Sequence, residues 1–220
     1  MKRRPLSQPL PTPGERGDAM KLLLGTTNQA KIEDYKKYLQ HAKLKLVTLK
    51  DLGIMDEPLE IGETYLENAL QKAKFYGEKT EYPTLADDGG FELDALDGKP
   101  GIESRRWVGP HGTDEDRIQK VIEHMRGVPD NSRTARIRIV NVVYFPAERD
   151  YISVDKSTEG FVPEEASSMR IPNFPYRSVL FIPHFKKCFS ELNEEEVEQV
   201  DHRKLACKEL LMKLEPYLNQ

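Results

Sequence analysis

A short apolar run that ends at once in a polar turn constrains this chain more than any other feature. Lys21-Leu22-Leu23-Leu24-Gly25 is of buried-strand type, and Thr26-Thr27-Asn28 follows directly. Beyond it comes a helical pattern with Ile32, Tyr35 and Leu39 on one face. A strand that enters a helix through a polar turn is the result.

The same grammar continues downstream. A second strand is expected over Leu44 to Thr48, and Asp56 to Gly62 reads as an acidic loop. Thr64-Tyr65-Leu66-Glu67 has capping-box form, and the helix it opens would turn Leu66, Ala69, Leu70 and Ala73 inward. Pro83-Thr84-Leu85-Ala86 reads as a short strand running into Asp87-Asp88-Gly89-Gly90, two carboxylates at a strand end followed by two residues of free backbone choice. A further helix should start at Thr113, with Asp114, Glu115 and Asp116 in its positive first turn and Ile118, Val121, Ile122 and Met125 inward; Gly127 ends it. Thr134 to Phe145 is β-branched, and Tyr151 to Val162 follows the turn-like Ala147-Glu148-Arg149-Asp150, so a long hairpin is expected. The last helices fall between Glu194 and Leu218, with Glu194-Glu195-Glu196 as first-turn charge.

With 220 residues, 38% hydrophobic and 32% charged, the chain has the length and balance of one globular domain, expected over residues 20–220. The first 19 residues combine proline, glycine and charge without an apolar face, which reads as a flexible tail. No apolar run of about 18 residues and no signal-peptide core is seen, so neither membrane nor secretion is indicated and a cytoplasmic location is expected. Cys188 and Cys207 read as reduced packing thiols. A net charge of −4 supplies no field for polymeric nucleic acid, although a few local cations would suffice for a small anion.

Three constellations could carry chemistry. Thr26-Thr27-Asn28-Gln29-Ala30-Lys31 sits where free amides and the helix dipole favour an anion, with Lys31 one turn in. Read alone, it is more often an ordinary capped helix with a surface lysine. Glu60, and Glu63 less clearly, join Asp87 and Asp88 as hard oxygen donors of the kind magnesium shares with phosphates. An Asp-Asp pair by itself is more often a solvated turn, yet Gly89-Gly90 suits close backbone approach to a ligand. Asp201-His202-Arg203 looks like a helix start with Asp201 as N-cap. There Arg203 offers a fork for phosphate or a base edge, while His202 taken singly reads as a surface cap residue.

Together these residues resemble the inosine-triphosphate pyrophosphatase family, enzymes that remove non-canonical purine triphosphates. The stretch from Ala86 to Gly109, reading ADDGGFELDALDGKPGIESRRWVG, is similar to the family's A-D-D-S-G-L-x-V-D-A-L-x-G-x-P-G-x-x-S-A-R-Y-x-G block. The T-x-N-x-x-K element matches Thr26, Asn28 and Lys31, and E-N-A-x-x-K-A matches Glu67 to Ala73. The resemblance implies an elongated α/β fold, with a mixed central β-sheet flanked by helices and a cleft between two lobes, usually in a homodimer. It implies an ITP, dITP or XTP substrate hydrolysed to monophosphate and pyrophosphate with Mg2+. Thr26, Thr27, Asn28 and Lys31 would hold phosphates, Glu60, Asp87 and Asp88 would serve the metal, Asp88 would be the base for the attacking water, and Lys72 would neutralise phosphate charge. Gly89, Phe174, Tyr176, Arg177, His202 and Arg203 complete the substrate contacts.

This chain departs from that pattern in the segment that reads the base. The family's G-F-G-[YW]-D-P is Asn173-Phe174-Pro175-Tyr176-Arg177-Ser178 here, its S-H-R triplet is Asp201-His202-Arg203, and a lysine shortly before the triplet falls at Val197. The serine after the paired aspartates is Gly89. Arginine at 177 would favour an acceptor-rich base edge or an extra phosphate. A modified pyrimidine or unusual purine substrate, as in the related Maf-type pyrophosphatases, and a nucleotide-binding protein without turnover therefore stand as alternatives.

Overall fold

A computed structural model describes residues 19–219, so the expected tail lies outside the described residues apart from Ala19. The chain runs β1 (Met20–Leu24), α1 (Gln29–Tyr38), β2 (Leu44–Thr48), α2 (Tyr65–Thr80), β3 (Thr84–Leu93), β4 (Lys99–Gly101), α3 (Asp114–His124), β5 (Thr134–Phe145), β6 (Asp150–Phe161), β7 (Phe181–Ile182), β8 (Lys187–Cys188), α4 (Glu194–Val200) and α5 (His202–Leu218). The strands form one mixed sheet ordered β2-β1-β3-β5-β6-β7-β8, with β4 alongside β3. β1 is parallel to β2 and β3, and every later ladder is antiparallel.

Period-two alternation decides which helix each strand residue meets. Along β5, Ile139 and Val143 pack with α1 and α5, whereas Val140, Val142 and Tyr144 pack with α2. Along β3, Leu85 joins the first cluster and Ala86 the second. A separate cluster gathers Ile118 and Val121 of α3 and Met125 just after it beneath Phe91, Leu93, Val179 and Phe189. Helices thus cover both faces of the sheet, as the α/β expectation required. The hairpin of β5 and β6 pairs without interruption from Thr134↔Phe161 to Phe145↔Asp150. Both cysteines are buried free thiols.

The capping boxes at Thr64 and Thr113 are present. Leu66 is a correction: it is 36% exposed, and α2 meets the sheet through Tyr65, Asn68, Ala69, Ala73 and Tyr76. The buried stripe passes one residue earlier, so Leu66 lies a helical step of about 100° away.

The Asp-Asp-Gly-Gly segment is the second correction. It is no strand end, because β3 continues to Leu93 and pairs with β5 throughout, Asp87↔Asn141 and Gly90↔Arg138 included. Pairing to a central neighbour overrides the weak strand propensity of Asp and Gly. Neither glycine has positive φ. A Cβ on Gly89 would fall on the Arg138 backbone, and one on Gly90 on the Gly101 carbonyl. These glycines make room for the chain's own strands, so the missing side chain at Gly89 is explained without a ligand.

The β1–β3 ladder stops at Leu24↔Leu85, while β3 runs on. The edge of β3 from Asp87 to Gly90 is therefore left without a strand partner on the β1 side, where β4 takes over at Phe91. A crevice beyond the carboxyl end of a parallel strand is where open α/β sheets place their ligands.

Candidate active site

Successive residues of β3 point to opposite faces, so Asp87 and Asp88 serve different sets of partners. Asp87 follows Leu85 towards α1 and α5. Its Oδ2 accepts a hydrogen bond from Lys31 Nζ at 2.6 Å and lies 3.5 Å from Arg203 Nη1. Asp88 follows Ala86 towards α2, where Oδ2 accepts from Asn68 Nδ2 at 3.0 Å and Oδ1 stands 4.0 Å from Lys72 Nζ. Lys72 Nζ in turn donates to Glu60 Oε1 at 2.8 Å, which draws the acidic loop before α2 into the same place.

The turn after β1 supplies the fourth wall. Asn28 caps α1, its Oδ1 accepting from the amides of Ala30 and Lys31. Thr26 Oγ1 accepts from the Asn28 amide, and Thr27 Oγ1 donates to Glu57 Oε1 at 2.7 Å. Thr27 and Asn28 are exposed, so this turn faces solvent at the mouth of the site.

The charges shape one another. Burial would raise the Asp87 carboxyl, but Lys31, Arg203 and Lys72 hold it well below the usual carboxylate range. Burial, seconded by the neighbouring Lys72 and Arg203, lowers Lys31 against the pull of Asp87. Burial likewise works against Lys72, yet Asp87, Asp88 and Glu60 carry it above its ordinary value. Asp88 differs: burial and Glu60 raise its pKa despite Lys72 and Asn68. The site thus contains a firmly ionised acid between cations and, across the strand, a more basic carboxylate. The second is the better proton acceptor.

The donors present suit a hard divalent ion. Asp87 Oδ1 is buried with no hydrogen-bond partner, Asp88 Oδ1 makes none, and Glu60 gives up only one oxygen to Lys72. Among the described residues no three acids, histidines or cysteines gather into a protein-only metal cage. Magnesium does not ask for one, since it is commonly held by one or two carboxylates together with phosphate oxygens and water.

The segment expected to read the base is arranged differently from expectation. Arg177 is turned inward: its Nη2 donates to Asp201 Oδ2 at 2.9 Å, and its guanidinium lies 4.5 Å from the ring centroids of both Phe174 and Phe189. It is no free cation for a base edge or an extra phosphate. The two departures from the family pattern, at 177 and 201, satisfy each other. Tyr176 is also occupied internally, stacked on Phe91 at 4.8 Å with its hydroxyl donating to the Ser104 carbonyl. His202 is buried rather than a surface cap, only 4% exposed, and its pKa is pushed by that burial down to about 3. Arg203 is buried too; its Nε lies 3.0 Å from Asp34 Oδ2, an ion pair without hydrogen-bond alignment. Asp201 does N-cap α5, as expected, accepting from the Arg203 and Lys204 amides.

Sequence reasoning missed four supports. Asn68 orients Asp88 and lies inside the quoted E-N-A-x-x-K-A block, so that signal was at hand. Half-buried Asp34 and buried Tyr35 and Asn141 lie beside Arg203 and Asp87, Tyr35 Oη donating to Asn141 Oδ1 at 2.9 Å and taking a long 3.5 Å contact from Arg203. Nothing in their spacing marks them.

Comparison with known proteins bears on this geometry. Residues 22–213 match the model of the Ham1 family, and the chain belongs to that family. A dITP/XTP pyrophosphatase of Dictyoglomus thermophilum is 36% identical over 197 residues, spanning 89% of this chain and 95% of its own. The dITP/XTP pyrophosphatase of Escherichia coli is 36% identical over 192 residues, 87% and 96% of the two chains. The solved structure of a HAM1 protein from Coxiella burnetii superposes with a TM-score of 0.81 at 27% identity, covering 90% of this chain and 99% of that one.

Two outcomes are expected. Arg177→Met strands the Asp201 carboxylate, which is 1% exposed, and should cost about 3–5 kcal/mol in urea unfolding. Adding Asp201→Asn, which keeps an N-cap acceptor, should recover most of that; a single variant of wild-type stability would show the pair to be idle. Because His202 stays neutral down to about 3, below the ordinary 6.5, its contribution is complete above pH 6.5 and is lost as pH falls towards 3. The unfolding free energy should therefore fall by up to about 1.4 kcal/mol per pH unit in that window. His202→Gln should flatten the slope, and an unchanged slope would contradict the assignment.

Proposed function

We propose that this chain is a nucleoside-triphosphate pyrophosphatase that hydrolyses non-standard purine triphosphates such as dITP, ITP and XTP to the monophosphate and pyrophosphate, with magnesium. The observation that carries the reading is the convergence of Lys31, Lys72, Asp88 and Glu60, from four separate chain segments, on the crevice beyond β1. Membership of the Ham1 family, and relatives named for dITP/XTP hydrolysis, support the same conclusion.

Hydrolysis of a phosphoric anhydride depends on in-line positioning and on cancelling negative charge. In this reading Thr26, Thr27 and Asn28 bind phosphate oxygens at the start of α1, and Lys31 and Lys72 neutralise the chain from its two sides. Glu60 and Asp88, with the unpaired oxygen of Asp87, hold magnesium, which when bound supplies further charge neutralisation on the phosphate oxygens. Asp88, raised by burial, orients and deprotonates the attacking water, which adds to phosphorus as the anhydride bond breaks and pyrophosphate leaves. Asn68 steers Asp88 by taking one of its oxygens. Phe174, His202 and Arg203 form the base-facing wall. Arg177 is already neutralised by Asp201, so the observation that would have favoured an acceptor-rich or additionally phosphorylated substrate is absent.

No helix among the described residues is long and apolar enough to cross a membrane. The homodimer implied by the resemblance and the cytoplasmic location expected from the sequence belong to the same proposal.

A panel of ITP, dITP, XTP, dUTP and methylated nucleotides, assayed for pyrophosphate with and without magnesium, tests the reading. Magnesium-dependent release from the inosine and xanthosine nucleotides is expected, and inertness across the panel would end it. Asp88→Asn should lower kcat by roughly 10²–10⁴ with a nearly unchanged melting temperature. A near-normal rate would remove Asp88 from the chemistry.

A further inference from the structure

Thr158, on β6, is a buried hydroxyl whose hydrogen-bonding capacity is entirely used. Its Oγ1 donates to the Val200 carbonyl at 2.6 Å, accepts from the backbone amide of His202 at 3.2 Å, and meets His202 Nδ1 at 3.0 Å. A threonine hydroxyl has one proton and two lone pairs. The carbonyl can only accept, so the proton goes there, and the His202 amide takes one lone pair. The remaining lone pair faces Nδ1, which must then carry a hydrogen. The buried ring holds a single proton at neutral pH, which leaves Nε2 bare.

Nothing nearby reverses this choice. The Asp201 carboxylate is consumed by the amides of Arg203 and Lys204 and by Arg177. Arg203 is turned to Asp34 and Asp87, and Phe189 presents only a ring, 6.3 Å away and nearly perpendicular. Among the described residues His202 Nε2 makes no hydrogen bond within the chain.

We propose that Thr158 is a positioning residue that fixes His202 as the Nδ1–H tautomer, so that Nε2 is an obligate acceptor for the base of the bound nucleotide. The proposal rests on the pyrophosphatase reading and sharpens it. A purine in the 6-oxo lactam form carries a ring N–H where adenine carries a lone pair. An acceptor that cannot become a donor therefore welcomes hypoxanthine and xanthine and repels adenine, and guanine, which has the same N–H, is not rejected by it. The discrimination resides in Thr158, one residue removed from the ligand, because a free imidazole could satisfy either base by exchanging tautomers.

The test uses the full chain and two variants, Thr158→Val, of similar shape without the hydroxyl, and Thr158→Ser, which restores it. Long-range proton–nitrogen NMR on the His202 ring should show protonated Nδ1 and bare Nε2 in the wild type and in Thr158→Ser. In Thr158→Val the Nε2–H form should appear. KM for ITP should rise about tenfold, the loss of one ordinary hydrogen bond, with kcat within about twofold. The ITP-over-ATP preference in kcat/KM should shrink, while Thr158→Ser keeps wild-type values. A wild-type ring protonated on Nε2 overturns the proposal, as does Thr158→Val with unaltered tautomer and KM. Should Thr158→Val not fold, the wild-type and Thr158→Ser spectra still decide it. An active enzyme with an Nε2–H ring sinks this proposal alone. A protein inert towards every nucleotide removes the pyrophosphatase reading and, with it, the role of Nε2.

Discussion

Strand β3 outruns its parallel neighbour. β1 ends at Leu24 opposite Leu85, and β3 continues to Leu93 with β5 along its other edge, while on the β1 edge no strand pairs with it until β4 joins at Phe91. The overhang does two things at once. It leaves an edge that helices can approach, and it presents alternate side chains to opposite faces of the sheet. Asp87 and Asp88 therefore divide their work: one is walled in by cations from α1 and α5, the other faces α2 and its lysine. A loop carrying the same two residues could not hold them in fixed and opposite directions.

Burying so much charge is expensive unless every ion has a partner. Asp87 is 3% exposed and Arg203 5%, and both survive because they meet each other and Lys31 and Asp34 in one connected group. That group leaves loose ends, namely Asp87 Oδ1, Asp34 Oδ2, Arg203 Nε and Asn141 Nδ2, all buried without aligned partners. Unsatisfied polar atoms are uncommon in folded chains and cost free energy where they occur. Their concentration beside the crevice is what a site looks like when part of its hydrogen bonding is reserved for a ligand. Elsewhere among the described residues only Tyr65 Oη and Ser190 Oγ are buried without a partner.

Much of the frame was legible because its signals are local. The capping boxes at Thr64 and Thr113, the β5–β6 hairpin and the N-cap at Asp201 each depend on residues a few positions apart, and each is found where the pattern puts it. The Asp-Asp-Gly-Gly segment reads as a strand end because propensity is local and strand pairing is not. Only the presence of β5 on one side and β4 on the other shows why the glycines are needed. The candidate site divides along the same line. Lys31, Lys72, Asp88 and Glu60 stand in recognisable elements, whereas Asp34, Asn141 and Thr158 matter through distant contacts and carry no mark in the sequence: Asp34 meets Arg203 across 169 residues, Asn141 meets Tyr35 across 106 and Thr158 meets His202 across 44.

The departures from the family pattern become intelligible only as a set. Arginine for aspartate at 177 adds two units of positive charge, while aspartate for serine at 201 and valine for lysine at 197 each remove one, so the local charge is unchanged. The arginine and the aspartate then meet at 2.9 Å between two phenylalanine rings, and Val197 packs into the apolar cluster beneath them. A pocket whose polarity had been altered to admit a different base would be expected to leave the new cation exposed and unpaired. Here it is 13% exposed and tied to the cap of α5, the helix that carries His202 and Arg203. The substitutions are thus better understood as exchanging one way of anchoring that helix for another. In the proposed reading, the groups left to face a base are the neutral His202 ring and the Phe174 side chain, with Arg203 anchored behind them.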